Sequence, residues 1–189
     1  MNRKKLIALA VFAMALTGCT STSPQVTTNY YFVSGTTSAE LDQDLRRQGP
    51  LSGHAIAVAA IRFNPVSVIQ EDKADGCIFK TAKFRVEANI TLPRWKERNQ
   101  STDRDLRRAW DGLARYAKLH EDTHVLIAER FAKLLGEELE DIPPQADCER
   151  LDRVAKAVVT RTRSAHNRAQ NAFDAAEQRR LARLFAEAQ

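Results

Sequence analysis

From Ser101 to Glu140 the chain contains no proline, and apolar residues return every three or four positions at Leu106, Trp110, Leu113, Ala117, Ile127, Phe131 and Leu134. That rhythm predicts one long amphipathic helix, for which Ser101, Thr102 and Asp103 offer N-capping side chains and Asp141-Ile142-Pro143-Pro144 a stop. A helix of this length must bury its stripe against something. From about Cys148 a second helical pattern places Ala155, Val159, Thr162, Ala169 and Phe173 along one face. Two long helices joined by a short turn pack antiparallel, so the expected scaffold is a helical hairpin.

Upstream of Pro93 the period is two. Ile78, Ala82, Phe84, Val86, Ala88, Ile90 and Leu92 share one parity, while Thr81, Lys83, Arg85, Glu87, Asn89 and Thr91 share the other. This is a strand with one wet face. Ala55 to Phe63 is apolar at most positions and reads as a second strand, and Tyr30 to Val33 as a shorter third, with breaks at Asn64-Pro65 and Asp75-Gly76. The fold class expected is therefore α+β: a small antiparallel sheet of about three strands packed on the hairpin.

The chain of 189 residues is 43% hydrophobic and 28% charged, a balance that supports one globular domain and excludes a disordered or multi-span membrane protein. Its formal charge of +5 invites a nucleic-acid reading, but Arg3, Lys4 and Lys5 supply three of those charges within a removable leader. The +2 that remains is spread among mixed acids and bases with no nucleic-acid-binding signature, so no nucleic-acid partner is expected. The leader has a cationic start, an apolar run from Leu6 to Leu16 too short to span a bilayer, and small residues after it. Leu16-Thr17-Gly18-Cys19 resembles the bacterial lipobox, which implies cleavage after residue 18 and lipid on Cys19. Acyl chains there would anchor the protein to a membrane. Thr20 is not the aspartate of an inner-membrane retention signal, which favours the periplasmic face of the outer membrane. The organisation expected is a signal peptide over 1–18, a Ser/Thr-rich tether over 19–28 and a single domain over 29–189, acting as a monomer. Export leaves Cys77 and Cys148 as a pair in an oxidising compartment, the setting of a disulfide, and neither has the close CxxC spacing of a zinc thiolate site.

The chemistry concentrates in His120-Glu121-Asp122-Thr123-His124, an H-E-x-x-H motif on the long helix. Histidines at i and i+4 lie one turn apart on one face, so both imidazoles reach a single zinc ion, and the glutamate between them can take a proton from its bound water. A third protein ligand is needed. Ile127 and Arg130 stand where a metzincin carries glycine and histidine, and Glu149 would sit about 28 Å away along a hairpin that rises 1.5 Å per residue. Counting back from the turn places residue 167 opposite residue 122, which makes His166 the first choice; Asp174, two turns further on, requires a kink or a shifted helix start. Tyr116, His54 and Arg94 are the candidates for stabilising an oxyanion.

The Tyr30-Tyr31 strand followed by Gly35, the strand from Cys77 to Leu92-Pro93-Arg94-Trp95, Trp110, the H-E-x-x-H motif and Cys148 together resemble the predicted secreted zinc-dependent protease family, also called domain of unknown function 922. The likeness spans about residues 30–175. It implies a zinc peptidase acting on peptide or protein substrates, with Glu121 as general base, and prefers Asp174 as third ligand. The family's Tyr-Asp is matched by Phe173-Asp174, but Glu177, Gln178, Arg179 and Arg180 replace the Thr and His-Gly that follow it. Two other classes compete: a non-catalytic envelope lipoprotein with a structural metal site, and an interaction protein using Leu181, Leu184 and Phe185 flanked by Arg179, Arg180 and Arg183.

Overall fold

In the computed structural model, which describes residues 22–187, the chain runs β1 (Gln25–Val33), α1 (Ser38–Gln48), β2 (Val58–Lys73), β3 (Gly76–Trp95), α2 (Arg104–Glu140) and α3 (Cys148–Glu187). Lipidation at Cys19 and cleavage after residue 18 lie outside the described residues. The fold is α+β, with a three-stranded sheet in the order β1-β3-β2. This sheet is mixed rather than antiparallel: β2 pairs antiparallel with β3, whereas β1 pairs parallel, from Gln25 opposite Glu87 to Val33 opposite Trp95. A tight turn forces β2 and β3 to oppose each other, but α1 and β2 separate β1 from β3 in sequence, and so long a connection permits a parallel approach. β1 also begins four residues before the expected domain start, taking Gln25 to Thr28 out of the tether and into the sheet.

Two irregularities correct the strand reading. Asn64-Pro65 does not end β2; Pro65 pairs with Phe84 and Ser67 with Lys83, so the extra residue forms a bulge on an edge strand, where a missing N–H is tolerated. Further on, Ile69 faces Thr81 and Gln70 faces Phe79, leaving Lys80 as an extra residue in β3. The parity flips there, so Cys77 and Phe79 are buried instead of Ile78, while Ala82, Val86, Ala88, Ile90 and Leu92 remain in the core.

α1 escaped the sequence reading because Leu41 and Leu45 are its only large apolar residues. It is capped by Thr37, whose hydroxyl accepts from the Glu40 N–H, and tied to the end of β1 by Asp44, which accepts from the Ser34 N–H at 2.8 Å. Its two leucines join Val33, Trp95, Leu106 and Trp110 in one core cluster.

α2 lies along the sheet, but its buried stripe is Ala117, Glu121, Val125, Ala128, Ala132 and Leu135, one residue round from the expected Ile127, Phe131 and Leu134. Alanine on that face brings the helix close to Val86, Ala88 and Ile90. Closest of all is Gly136, where a Cβ would stand 2.2 Å from the Ala82 carbonyl oxygen. Alanine gains about 1 kcal/mol over glycine in a helix, yet here it meets strand backbone, and overpacking of that kind costs about 1–3 kcal/mol. Gly136→Ala is expected to lower the unfolding free energy by about 1–2 kcal/mol in a urea titration.

α2 and α3 touch through Glu138 and Thr162, His124 and Gln170, and Tyr116 and Glu177, so contacts run in opposite order along the two helices. The start of α3 is fixed by a Cys77–Cys148 disulfide with a Cα–Cα distance of 5.1 Å, and by backbone hydrogen bonds between Cys77 and Gln145. Among the described residues, no helix is long and apolar enough to cross a membrane.

Candidate metal centre

One turn of α2 projects His120 and His124 toward α3, on the flank of the stripe that packs on the sheet. Their Nε2 atoms are 3.1 Å apart, and Oδ1 of Asp174 lies 3.2 Å from the first and 3.0 Å from the second. Ligands about 2.0–2.1 Å from a tetrahedral metal stand about 3.3 Å from one another. The three atoms therefore already have the spacing of a shared coordination sphere, and His120, His124 and Asp174 could hold a metal ion.

The tautomer of His124 fits the same use. Its Nδ1 faces Gln170 Oε1 at 2.6 Å, and that oxygen can only accept, so Nδ1 carries the proton and Nε2 turns its lone pair to the cluster. Gln170 is held in this orientation by donating through Nε2 to the His124 carbonyl at 3.1 Å and to His166 Nε2 at 2.8 Å. His120 Nδ1 is buried and finds no protein partner. Phe173 packs against both rings, at 4.9 Å from His120 and 5.1 Å from His124. Burial, and secondarily the neighbouring His124, push the His120 pKa down and favour its neutral, metal-binding form.

The structure thus brings Asp174 to the histidine pair, while His166 sits one shell back, edge-on to Phe63 at 5.1 Å and to Phe131 at 5.6 Å. The count from the turn places residue 165 opposite His124, but Gln170 occupies that place. The offset exceeds one helical turn because α3 starts on β3, held there by Cys148, instead of beside the end of α2. His166 is consequently a positioning residue for Gln170 in this geometry.

Glu121 is directed to the sheet side of the cluster. It is only 4% exposed, burial raises its pKa, and the Ala59 backbone N–H opposes that rise by bonding its carboxylate. Since Ala59 belongs to the edge strand β2, the outward edge of the sheet passes beside the motif. A cleft of about 760 Å³ opens there, lined by the motif, by residues 54–59 and by Tyr116, Gln170, Asp174, Glu177 and Leu181.

Of the three oxyanion candidates, Tyr116 and His54 line this cleft, whereas Arg94 stacks over the Tyr30 ring at 4.0 Å, and neither residue of that pair reaches it. The Tyr116 hydroxyl donates to Glu177 at 3.2 Å; burial and the Glu177 charge raise its pKa, keeping it a neutral donor. Glu177 in turn is held ionised by Arg180. Two cleft residues, Gln170 and Glu177, were missed by the sequence reading, although both lie on the face of α3 that carries Asp174, at i−4 and i+3. In the C-terminal stripe Leu181 faces the cleft, Leu184 is exposed, and Arg180 is taken by Glu177.

No curated protein and no solved structure matches the chain. A family profile does, over residues 28–180, from within β1 to the turn of α3 beyond Asp174. Because that match takes in every strand and both histidines of the motif, the chain belongs to the family described as bacterial protein of unknown function (DUF922).

Proposed function

We propose that this protein is a zinc-dependent peptidase of the bacterial cell envelope, exported by its leader and held on the membrane by lipid at Cys19. The observation that carries the reading is the triangle of His120, His124 and Asp174 beside Glu121 in an open cleft. Two imidazoles and a carboxylate are a ligand set that would suit zinc, and the cleft they line is open to water or substrate. A zinc ion bound there would supply Lewis acidity, polarising a scissile carbonyl and acidifying a water molecule.

The chain's own groups do the rest. Glu121 takes the proton of the attacking water and passes it to the amide nitrogen as the C–N bond breaks; its raised pKa suits it to both halves of that transfer. Tyr116 turns its one O–H from Glu177 to the carbonyl oxygen as negative charge develops there. The free edge of β2 beside Ala59 receives the substrate backbone as an added strand, which favours an extended peptide over a compact one.

Metal analysis of the purified protein tests the site. One zinc per chain is expected, lost in His120→Ala and in Asp174→Ala. His166→Ala should keep its zinc with affinity reduced about 10–100-fold, the usual effect of removing an outer-shell partner. A wild-type protein that binds no zinc would end the peptidase reading; zinc retained by Asp174→Ala and lost by His166→Ala would replace the third ligand.

A further inference from the structure

The loop between α1 and β2 has a backbone that its sequence does not favour. Leu51, Ser52 and Gly53 all have positive φ, at 53°, 57° and 81°. Glycine adopts that region freely, but leucine and serine do not, and successive left-handed residues are held only where the surroundings fix them. Here they are fixed: Gly53 N–H donates to the Gly49 and Pro50 carbonyls, Ala55 N–H donates to Pro50, and a Cβ on Gly53 would collide with the Arg46 carbonyl. The outcome of this strain is an apolar side chain held out in water, since Leu51 is 66% exposed and makes part of the cleft wall. Ile56, also exposed, and Leu181 of α3 line the same cleft.

The position of these side chains along the cleft follows from the rise of α3, with the chain before β2 setting an upper bound. Leu181 lies seven residues beyond Asp174 on one face of α3, about 10 Å along a helix that rises 1.5 Å per residue. Ile56 precedes Ala59, the residue bonded to Glu121, by three positions, on a bend just before β2 begins at Val58, so it lies within the reach of three residues, about 10 Å. The helical rise places the apolar end about three peptide residues from the reacting centre, and the reach from Ala59 to Ile56 is compatible with it. Between them Ala57 and Ala59 have side chains small enough to let a substrate chain lie close.

We propose that Leu51, Ile56 and Leu181 form a specificity subsite that takes a large aliphatic or aromatic side chain about three residues from the bond cleaved. The substrate class is an extended peptide with an apolar anchor at that spacing. This rests on the peptidase reading for its substrate, but its ligand, an apolar peptide, can be detected without turnover.

The test uses fluorescein-labelled peptides of Gly, Ser and Thr in which a single leucine is moved along the chain. Binding to the full-length Glu121→Gln protein is followed by anisotropy, and cleavage by zinc-loaded wild type is mapped by mass spectrometry. Leucine should tighten binding about ten- to a hundredfold over serine, the range for one large apolar group in a pocket. The bond cut should lie about three residues from it. Leu51→Gly and Leu181→Ser should each remove most of that gain. Leu51→Gly should do so with no loss of thermal stability, because glycine accepts the positive φ. A leucine preference that survives both substitutions, or no preference in binding, overturns the subsite. Leucine-dependent binding without any cleavage leaves the subsite standing and removes the peptidase; cleavage indifferent to leucine does the reverse.

Discussion

Replacing Glu121 with glutamine is expected to lower kcat for peptide hydrolysis by about 10²–10⁴-fold, the contribution of a positioned general base, while zinc stays stoichiometric. The amide has the shape of the carboxyl group and its oxygen still accepts from the Ala59 N–H, but it cannot hold a proton at neutral pH. Loss of turnover through unfolding is separable by the sign of the stability change. Burial raises the pKa of Glu121, so in the metal-free protein its ionised form opposes folding. That cost is absent below the unfolded carboxyl value of about 4.3 and grows as pH rises from there toward the folded value. Metal-free Glu121→Gln should accordingly match wild type in thermal denaturation at pH 4 and equal or exceed it at pH 7. Hydrolysis retained at the wild-type rate by a zinc-loaded Glu121→Gln protein would remove Glu121 from its assigned role.

Cys148→Ser should cost about 4 kcal/mol of stability, because the bond it removes closes a loop between residues 71 apart in sequence. For a domain of this size that corresponds to a fall in Tm of about 10 °C or more. Cys77 is fully buried among Phe79, Leu139, Ile142 and Leu151, so the free thiol left behind would sit in a packed core. Thermal scans of wild type with and without a reductant, beside Cys148→Ser, measure the effect; coincident transitions in all three would mean that packing alone fixes the start of α3. The same change reaches the metal centre, since α3 carries Asp174, and zinc affinity should fall together with stability.

The long helix, the one-sided alternation of β3 and the two cysteines were legible because each is a pattern or a pair visible in the residues themselves. What was not legible arises between elements. One extra residue at Lys80 reverses every side chain before it, and periodicity has no way to register a bulge until the partner strand is known. α1 has too few apolar residues for its period to stand out. The packed face of α2 was masked by its alanines, which close contact with a sheet requires, and by Glu121, a charged residue buried among them. The choice between His166 and Asp174 turned on the relative shift of two helices, and that shift is set by a covalent link to a third element. A count that assumed both helices start level could not contain it.

The early start of β1 limits where such a peptidase would work. With acyl chains on Cys19, only five residues separate that cysteine from Gln25, a reach of about 20 Å at full stretch. The strand they lead into is laid down the sheet from Glu87, and Thr28 stands beside Ile90, the partner of Ala59 at the cleft. On so short a leash the proposed active face would patrol only a thin layer beside the membrane, and the targets expected of it would be chains emerging from, or lying on, the bilayer itself.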